Sequence, residues 1–259
     1  MLECGVHTDV LDRWRNTVIF RAVAAGRWDL LQLLVEWPGV VAGIQKLGDG
    51  ISHMESFQLL LHLLLTNRLG LFTELIATNR LDLHHGSRES RTILHEAVRI
   101  QALPFVEVLL AKQDIGVNFP DAENQTPLHV AAAVSTDPAI IRLLLGDSRV
   151  DCSWADSKGR TALQAAVANG NLVSVETLLA DPRCQFSQQH LLNEPGEVDG
   201  MTALHPATPN SCHNIVPCLL AQLEINDLPI DRSDHTPPRP AVEAGDLAAV
   251  LILHNLYVR

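Results

Sequence analysis

A chain of 259 residues that is 47% apolar and 19% charged has the make-up of a folded soluble protein of one large domain or two small ones. Its net charge of −11 argues against nucleic acid, whose phosphates need a basic surface, and against an anionic membrane. The opening "MLECGVHTDVLDRW" lacks the basic and apolar regions of a signal peptide, and five scattered cysteines with no CxxC pair read as free thiols, so an intracellular, cytoplasmic location is expected.

From the amino end onward, one motif keeps returning. "TVIFRAV" starts at Thr17, and a longer connector over 36–57 follows it. A degenerate copy, "QLLLHLL", starts at Gln58; its run Leu59 to Leu65 is far too short to span a bilayer. "TILHEAV" at Thr92, "TPLHVAA" at Thr126 and "TALQAAV" at Thr161 are the clearest copies. A second long connector, 181–201, precedes "TALHPAT" at Thr202, and a worn "TPPRPAV" starts at Thr236. The starts lie 41, 34, 34, 35, 41 and 34 residues apart, so seven units tile nearly the whole chain as a single domain, 1–259. With the last unit running into "HNLYVR", no further domain is expected after it.

Each unit reads as two amphipathic helices, because its apolar residues fall at three- and four-residue spacing, as in "LLQLLV" and "VSVETLL". Alanine stands five residues after six of the starts (Ala22, Ala97, Ala131, Ala166, Ala207, Ala241), and Leu63 is the exception. Leucine stands seventeen after every start: Leu34, Leu75, Leu109, Leu143, Leu178, Leu219 and Leu253. Thr126 sits where a helix N-cap is wanted, and Pro127 then occupies the first helical position, where its missing N–H costs nothing. Polar pieces such as "NFPDAENQ" and "SWADSKGR" suit hairpin-like connectors. Asp121, Asp156, Glu197 and Asp231 recur five residues before a threonine, which marks them as turn-forming rather than acid–base groups.

This pattern resembles the ankyrin repeat over about residues 10 to 259, with "TPLH" at Thr126, "GRTAL" at Gly159 and "VANGNLVSVETLL" as its nearest matches. The resemblance implies an all-α solenoid of about seven helix-turn-helix repeats with finger loops and degenerate terminal caps. It also implies that the motif histidines His95, His129 and His205 hydrogen-bond locally and bridge repeats, as scaffold. In the family, the connector tips and the exposed side of the first helix form a concave protein-binding surface. On this chain, that surface would carry Arg13, Trp14, Arg88, Glu89, Arg99, Glu123, Trp154, Lys158, Arg160, Asn169 and Met201. Arginine and tryptophan often carry interface energy, and a basic band on an acidic protein suits an acidic partner segment.

No nucleotide-binding loop, nucleophile elbow or zinc-protease motif is present, and no cofactor or metal is expected. Adjacent His84 and His85 lack ligands at helical spacing, and Cys218 lies on an apolar stripe with His205, Cys212 and His213 in the same helix pair. An alternative reading starts from the second long connector and from Pro206, Pro209 and Pro217, which should shorten or bend helices. There a small-molecule pocket walled by Trp154, Phe186 and Met201 would serve a cofactor-independent cyclase or isomerase, with His190 and Asp199 as proton-moving groups.

Overall fold

The computed structural model describes residues 53–184, apart from Arg80 and the side chains of His53 and Glu55, together with positions 18, 21, 22, 25–27, 29, 30, 33 and 215. It divides into two compact units, Met1–Gly116 and Val117–Arg259. The first holds α1 (His53–Leu65), α2 (Leu69–Ala77), α3 (Ile93–Arg99) and α4 (Leu103–Leu110). The second holds α5 (Pro127–Val134), α6 (Ala139–Gly146), α7 (Ala162–Ala168) and α8 (Leu172–Leu179). Among the described residues all regular structure is helical, two helices to each repeat, as the sequence spacing requires.

Stacking follows one rule in both units. The first helix of a repeat packs on its own second helix and on the first helix of the next repeat, as α1 does with α2 and α3, and α5 with α6 and α7. Second helices likewise pack on second helices, α2 on α4 and α6 on α8. A helix of seven or eight residues is too short to stand alone in water, so this burial is what holds it.

Side-chain size sets the spacing of the layers. Ala97, Ala131 and Ala166 are completely buried in α3, α5 and α7, where a small residue lets neighbouring first helices approach; the exceptional Leu63 is equally buried in α1. Larger groups fill the second layer. Phe72 of α2 meets Phe105 of α4 edge to face, with ring centroids 4.9 Å apart and planes at 75°.

Three first helices end in the same way. The chain turns into the left-handed region at Asn67 (φ 55°), Gln101 (φ 61°) and Gly170 (φ 70°). The next amide then reaches back five residues in each case: Arg68 to Leu63, Ala102 to Ala97 and Asn171 to Ala166. These are Schellman closures, which satisfy carbonyls left over at a helix end.

Two details depart from the sequence reading. First, α1 starts at His53, five residues ahead of the expected start at Gln58, so the end of the 36–57 connector is helical. Second, the buried leucine of the fourth repeat is Leu144, not Leu143, which is only half-buried. The cause is the turn: residues 135–138 separate α5 from α6, one more than the 100–102 and 169–171 turns. Counting from the threonine therefore runs one residue short.

The first helices α3, α5 and α7 begin on a reciprocal cap. The Thr126 amide donates to His129 Nδ1 at 3.3 Å, and the Thr126 hydroxyl lies 2.9 Å from the same nitrogen. His129 Nε2 then donates to the Arg160 carbonyl of the next repeat at 3.0 Å. These bonds require a neutral imidazole protonated on Nε2, because Nδ1 must accept. Thr92 and His95 repeat the local part, at 3.1 and 2.9 Å. In the fifth repeat Gln164 replaces histidine: its Oε1 accepts from the Thr161 amide at 2.9 Å, and its own amide donates to Thr161 Oγ1 at 3.4 Å. An amide side chain performs the same task without titrating, so the task is structural.

Burial, the largest influence, depresses the His129 pKa below its ordinary 6.5, although the hydrogen bond to the Arg160 carbonyl works the other way. A buried histidine with a depressed pKa contributes its full stability above about pH 6.5 and loses it as pH falls toward the lowered value. His129→Ala should destabilise the protein by on the order of 1–3 kcal/mol, since the Thr126 amide and Arg160 carbonyl lose their partner. His129→Gln, following Gln164, should cost less than half as much and flatten the loss of stability below pH 6.5. Urea denaturation of the three proteins from pH 5 to 8 measures both effects.

Candidate interaction surface

The fingers rest on one turn used three times. Asp121 Oδ1 accepts from the amides of Glu123 and Gln125, each at 2.9 Å. The Asp121 amide donates to the Gln125 carbonyl, also at 2.9 Å, and Asn124 turns at φ 58°. Asp156 repeats the arrangement with the amides of Lys158 and Arg160, both 2.9 Å, and Gly159 turns at φ 72°. In the first unit the hydroxyl of Ser87 replaces the carboxylate, accepting from the Glu89 and Arg91 amides at 3.2 and 3.4 Å, with Ser90 at φ 57°. The expected turn-forming role of Asp121 and Asp156 is what the structure shows; Glu197 and Asp231 lie outside the described residues.

Neighbouring fingers of the second unit are tied together. The Ser157 amide donates to the Glu123 carbonyl at 2.9 Å, and the Asn124 side chain donates to the Ala155 carbonyl at 2.7 Å. Lower down, the Asn118 side chain donates to the Arg149 carbonyl at 2.7 Å and accepts from the Asp151 amide at 2.9 Å. Asn171 joins the repeats near the helices, donating to the carbonyls of Ala132 and Ser135 at 3.2 and 2.8 Å. The tips are thus held in fixed positions by main-chain and amide bonds.

Among the described residues, several of the basic side chains already have partners. Arg160 grips Asp156 Oδ2 through Nε and a terminal nitrogen at 3.0 and 2.8 Å. Burial works to raise the Asp156 carboxyl, but the hydrogen bonds from the Arg160 side chain and the Arg160 and Lys158 amides outweigh it and hold the pKa below its usual range. Arg99 pairs with the buried Glu96 at 2.7 Å, and Arg91 with Glu89 at 2.8 Å. Arg88 and Lys158 are exposed, and among the described residues neither pairs with a carboxylate. Asn169 is exposed and caps the Ala165 carbonyl at 2.8 Å.

In the first unit, then, Arg88 and Glu89 stand on a finger tip and Arg99 at the end of a first helix. In the second, Glu123 and Lys158 occupy adjacent tips, with Arg160 at the finger base and Trp154 half-buried leading into it. The Trp154 indole nitrogen is buried and makes no hydrogen bond among the described residues. Arg13, Trp14, Met201, His190, Asp199 and Phe186 lie outside the described residues.

Sequence reasoning missed Phe119, which is 43% exposed two residues before Asp121, the place Trp154 holds before Asp156. Counting back from each turn aspartate would have found it. The adjacent histidines also gain an explanation: Asp82 accepts from the amides of His84 and His85 at 2.8 and 3.3 Å and contacts the His85 ring, so they belong to a turn.

A groove of about 440 Å³ runs between α6 and α8, lined by Arg142, Leu145, Val173, Glu176 and Asp181 among others. Its lining reaches Asp181 and Pro182 at the start of the second long connector but does not include Trp154, and Phe186, His190, Asp199 and Met201 of the expected pocket lie outside the described residues. Among the described residues no helix is long and apolar enough to cross a membrane.

Comparison with known proteins agrees with this architecture. The family model described as ankyrin repeats (3 copies) matches residues 60–153, 94–190 and 131–229. Mouse Inversin is 28% identical over 199 residues, covering 72% of this chain and 17% of its own length. Mouse Rabankyrin-5 is 29% identical over 171 residues, covering 66% of this chain and 14% of its own. The chicken nuclear factor NF-kappa-B p105 subunit is 32% identical over 135 residues, 51% of this chain and 13% of its own. The chain thus spans less than a fifth of these relatives. The crystal structure of an ankyrin repeat protein superposes with a TM-score of 0.63 at 21% identity, covering 75% of this chain and 96% of that one. On the family match, the helix pairs and the repeated caps and fingers, the chain belongs to the ankyrin-repeat family.

Proposed function

We propose that the seven units make up a single ankyrin-repeat domain, 1–259, and that this domain is an intracellular, non-catalytic scaffold. On this reading it recognises a protein partner through its finger tips and the exposed positions of its first helices. One observation carries the proposal. In adjacent fingers the backbone is pinned by a buried carboxylate and by bonds to the next finger, while Phe119, Glu123 and Lys158 project outward. A surface fixed before binding loses little conformational entropy on association.

The partner segment is acidic in this reading. Arg88 and Lys158, which lack carboxylate partners among the described residues, supply the attraction, whereas Arg99 and Arg160 are already neutralised and contribute shape. Exposed charges act chiefly on association rate and salt dependence.

Affinity capture followed by mass spectrometry tests this. Wild-type protein should retain a partner that the double variant Arg88→Glu/Lys158→Glu releases, and with that partner purified the variant should associate about tenfold more slowly at low salt with a flatter salt response. Identical capture and identical salt dependence would remove both residues from the surface. Asp156→Ala should destabilise the fold by roughly 1–3 kcal/mol, because two amides and the Arg160 guanidinium lose their acceptor. Asp156→Asn, which keeps one carbonyl oxygen for the amides, should cost less. Thermal melts rank the two.

A further inference from the structure

We propose that the first repeat carries a docking face for a second copy of this chain, and that two copies meet there about a two-fold axis. Val18, Arg21, Ala22, Ala25, Arg27 and Leu30 line a hollow of about 530 Å³ on this repeat. Val18 is 43% exposed, Leu30 40% and Leu33 59%, and Leu33 stands about one helical turn beyond Leu30 on the same side.

The backbone fixes the register of this repeat. Gly26 turns at φ 62° and the Arg27 amide donates to the Ala22 carbonyl at 2.8 Å, the closure also made at Gln101 and Gly170. Val18 therefore corresponds to Ile93 and Ala162, Arg21 to Glu96 and Ala165, and Leu30 to Phe105 and Ser174. The third and fifth repeats are each stacked on the repeat before them, and there all six counterparts are buried. Ile93 is 1% exposed and Phe105 2%.

Phe105 identifies the cover. Its ring meets that of Phe72, in the second helix of the preceding repeat. The open side chains of the first repeat thus occupy the positions that a neighbouring helix pair covers in the third and fifth repeats. Taking such a face out of water is favourable, and its shape suits another helix pair of the same kind.

A second copy supplies that helix pair, because the charges beside the hollow complement themselves. Arg27 donates to the two carboxylate oxygens of Asp29 at 3.0 and 2.8 Å, and both side chains are exposed. A two-fold axis sets Arg27 of each copy against Asp29 of the other, around a shared apolar centre of Val18, Leu30 and Leu33. An isologous contact of this kind closes after two copies. Each copy carries a net charge of −11, so repulsion opposes their approach and added salt should strengthen the dimer. An acidic partner at the finger tips would respond to salt in the opposite sense, which keeps the two surfaces separable.

Sedimentation velocity on the full chain, over a wide range of concentration and at low and high salt, tests this. A monomer–dimer equilibrium that tightens with salt is expected. Leu30→Glu, at a position exposed in the single chain, should weaken it by at least about tenfold while leaving the circular-dichroism spectrum unchanged. Arg27→Glu should also weaken it, and adding Asp29→Arg should restore it, whereas Arg88→Glu/Lys158→Glu should have no effect. Hydrogen exchange on the unmutated chain gives a reading independent of any variant: peptides spanning 18–33 should gain protection as concentration rises. A monomer at every concentration, a dimer indifferent to Leu30→Glu, or protection gained elsewhere but not over 18–33 would each overturn the docking face. Growth beyond two copies would overturn the two-fold pairing.

Discussion

The structure depends on one buried amide at each repeat joint. Thr92, Thr126 and Thr161 are almost fully buried, so their backbone N–H groups have no water to bond. Each finds an acceptor three residues on, in His95, His129 or Gln164. That contact fixes where the first helix begins and therefore which face carries the alanines. It also fixes where the preceding finger must end. At His129 the second ring nitrogen continues the link to the next repeat's finger, so one side chain caps a helix and sets the spacing of two repeats.

From that fixed point the finger is a short, closed problem. Five residues before the threonine the chain needs an acceptor for two amides, and three residues after that acceptor it needs a left-handed turn. Ser87 with Ser90, Asp121 with Asn124, and Asp156 with Gly159 are three solutions. Serine is the weakest acceptor of the three, and its bonds are the longest. A carboxylate adds something serine lacks: Asp156 has a second oxygen free for Arg160. The acidic excess of the chain is in part this kind of structural carboxylate, spent on amides and arginines rather than left to act at long range.

How legible all this was in the sequence depended on whether a feature repeats. The helix pairs, the capping threonines, Pro127 at the first helical position and the buried alanines recur at fixed offsets, and the structure has them where the spacing put them. Leu144 was misplaced because an extra turn residue breaks the offset, and the upstream extension of α1 was missed because Gln58 carries no cap signal. The surface was harder for a physical reason. Arg88, Arg99, Lys158 and Arg160 look alike as letters, yet Arg99 and Arg160 are matched to carboxylates of their own repeat while Arg88 and Lys158 have none among the described residues. Pairing is decided by where Glu96 and Asp156 sit in the folded repeat, and a band of one charge on paper becomes two isolated cations.

The same logic explains why the bonds between repeats were invisible. Asn118 and Asn124 belong to no recognisable spacing motif, and each alone reads as an ordinary connector residue. In a stacked array, residues about one repeat length apart are neighbours, so any two side chains at matching depth in successive repeats are brought together. The period that makes the fold easy to read thereby creates contacts that no local pattern announces. Asn118 and Asp151, Asn124 and Ala155, and His129 and Arg160 all lie 31 or 33 residues apart and all bond. In each of these pairs a side chain of one repeat bonds the backbone of the next, so the repeat period, and not a local motif, decides which residues meet.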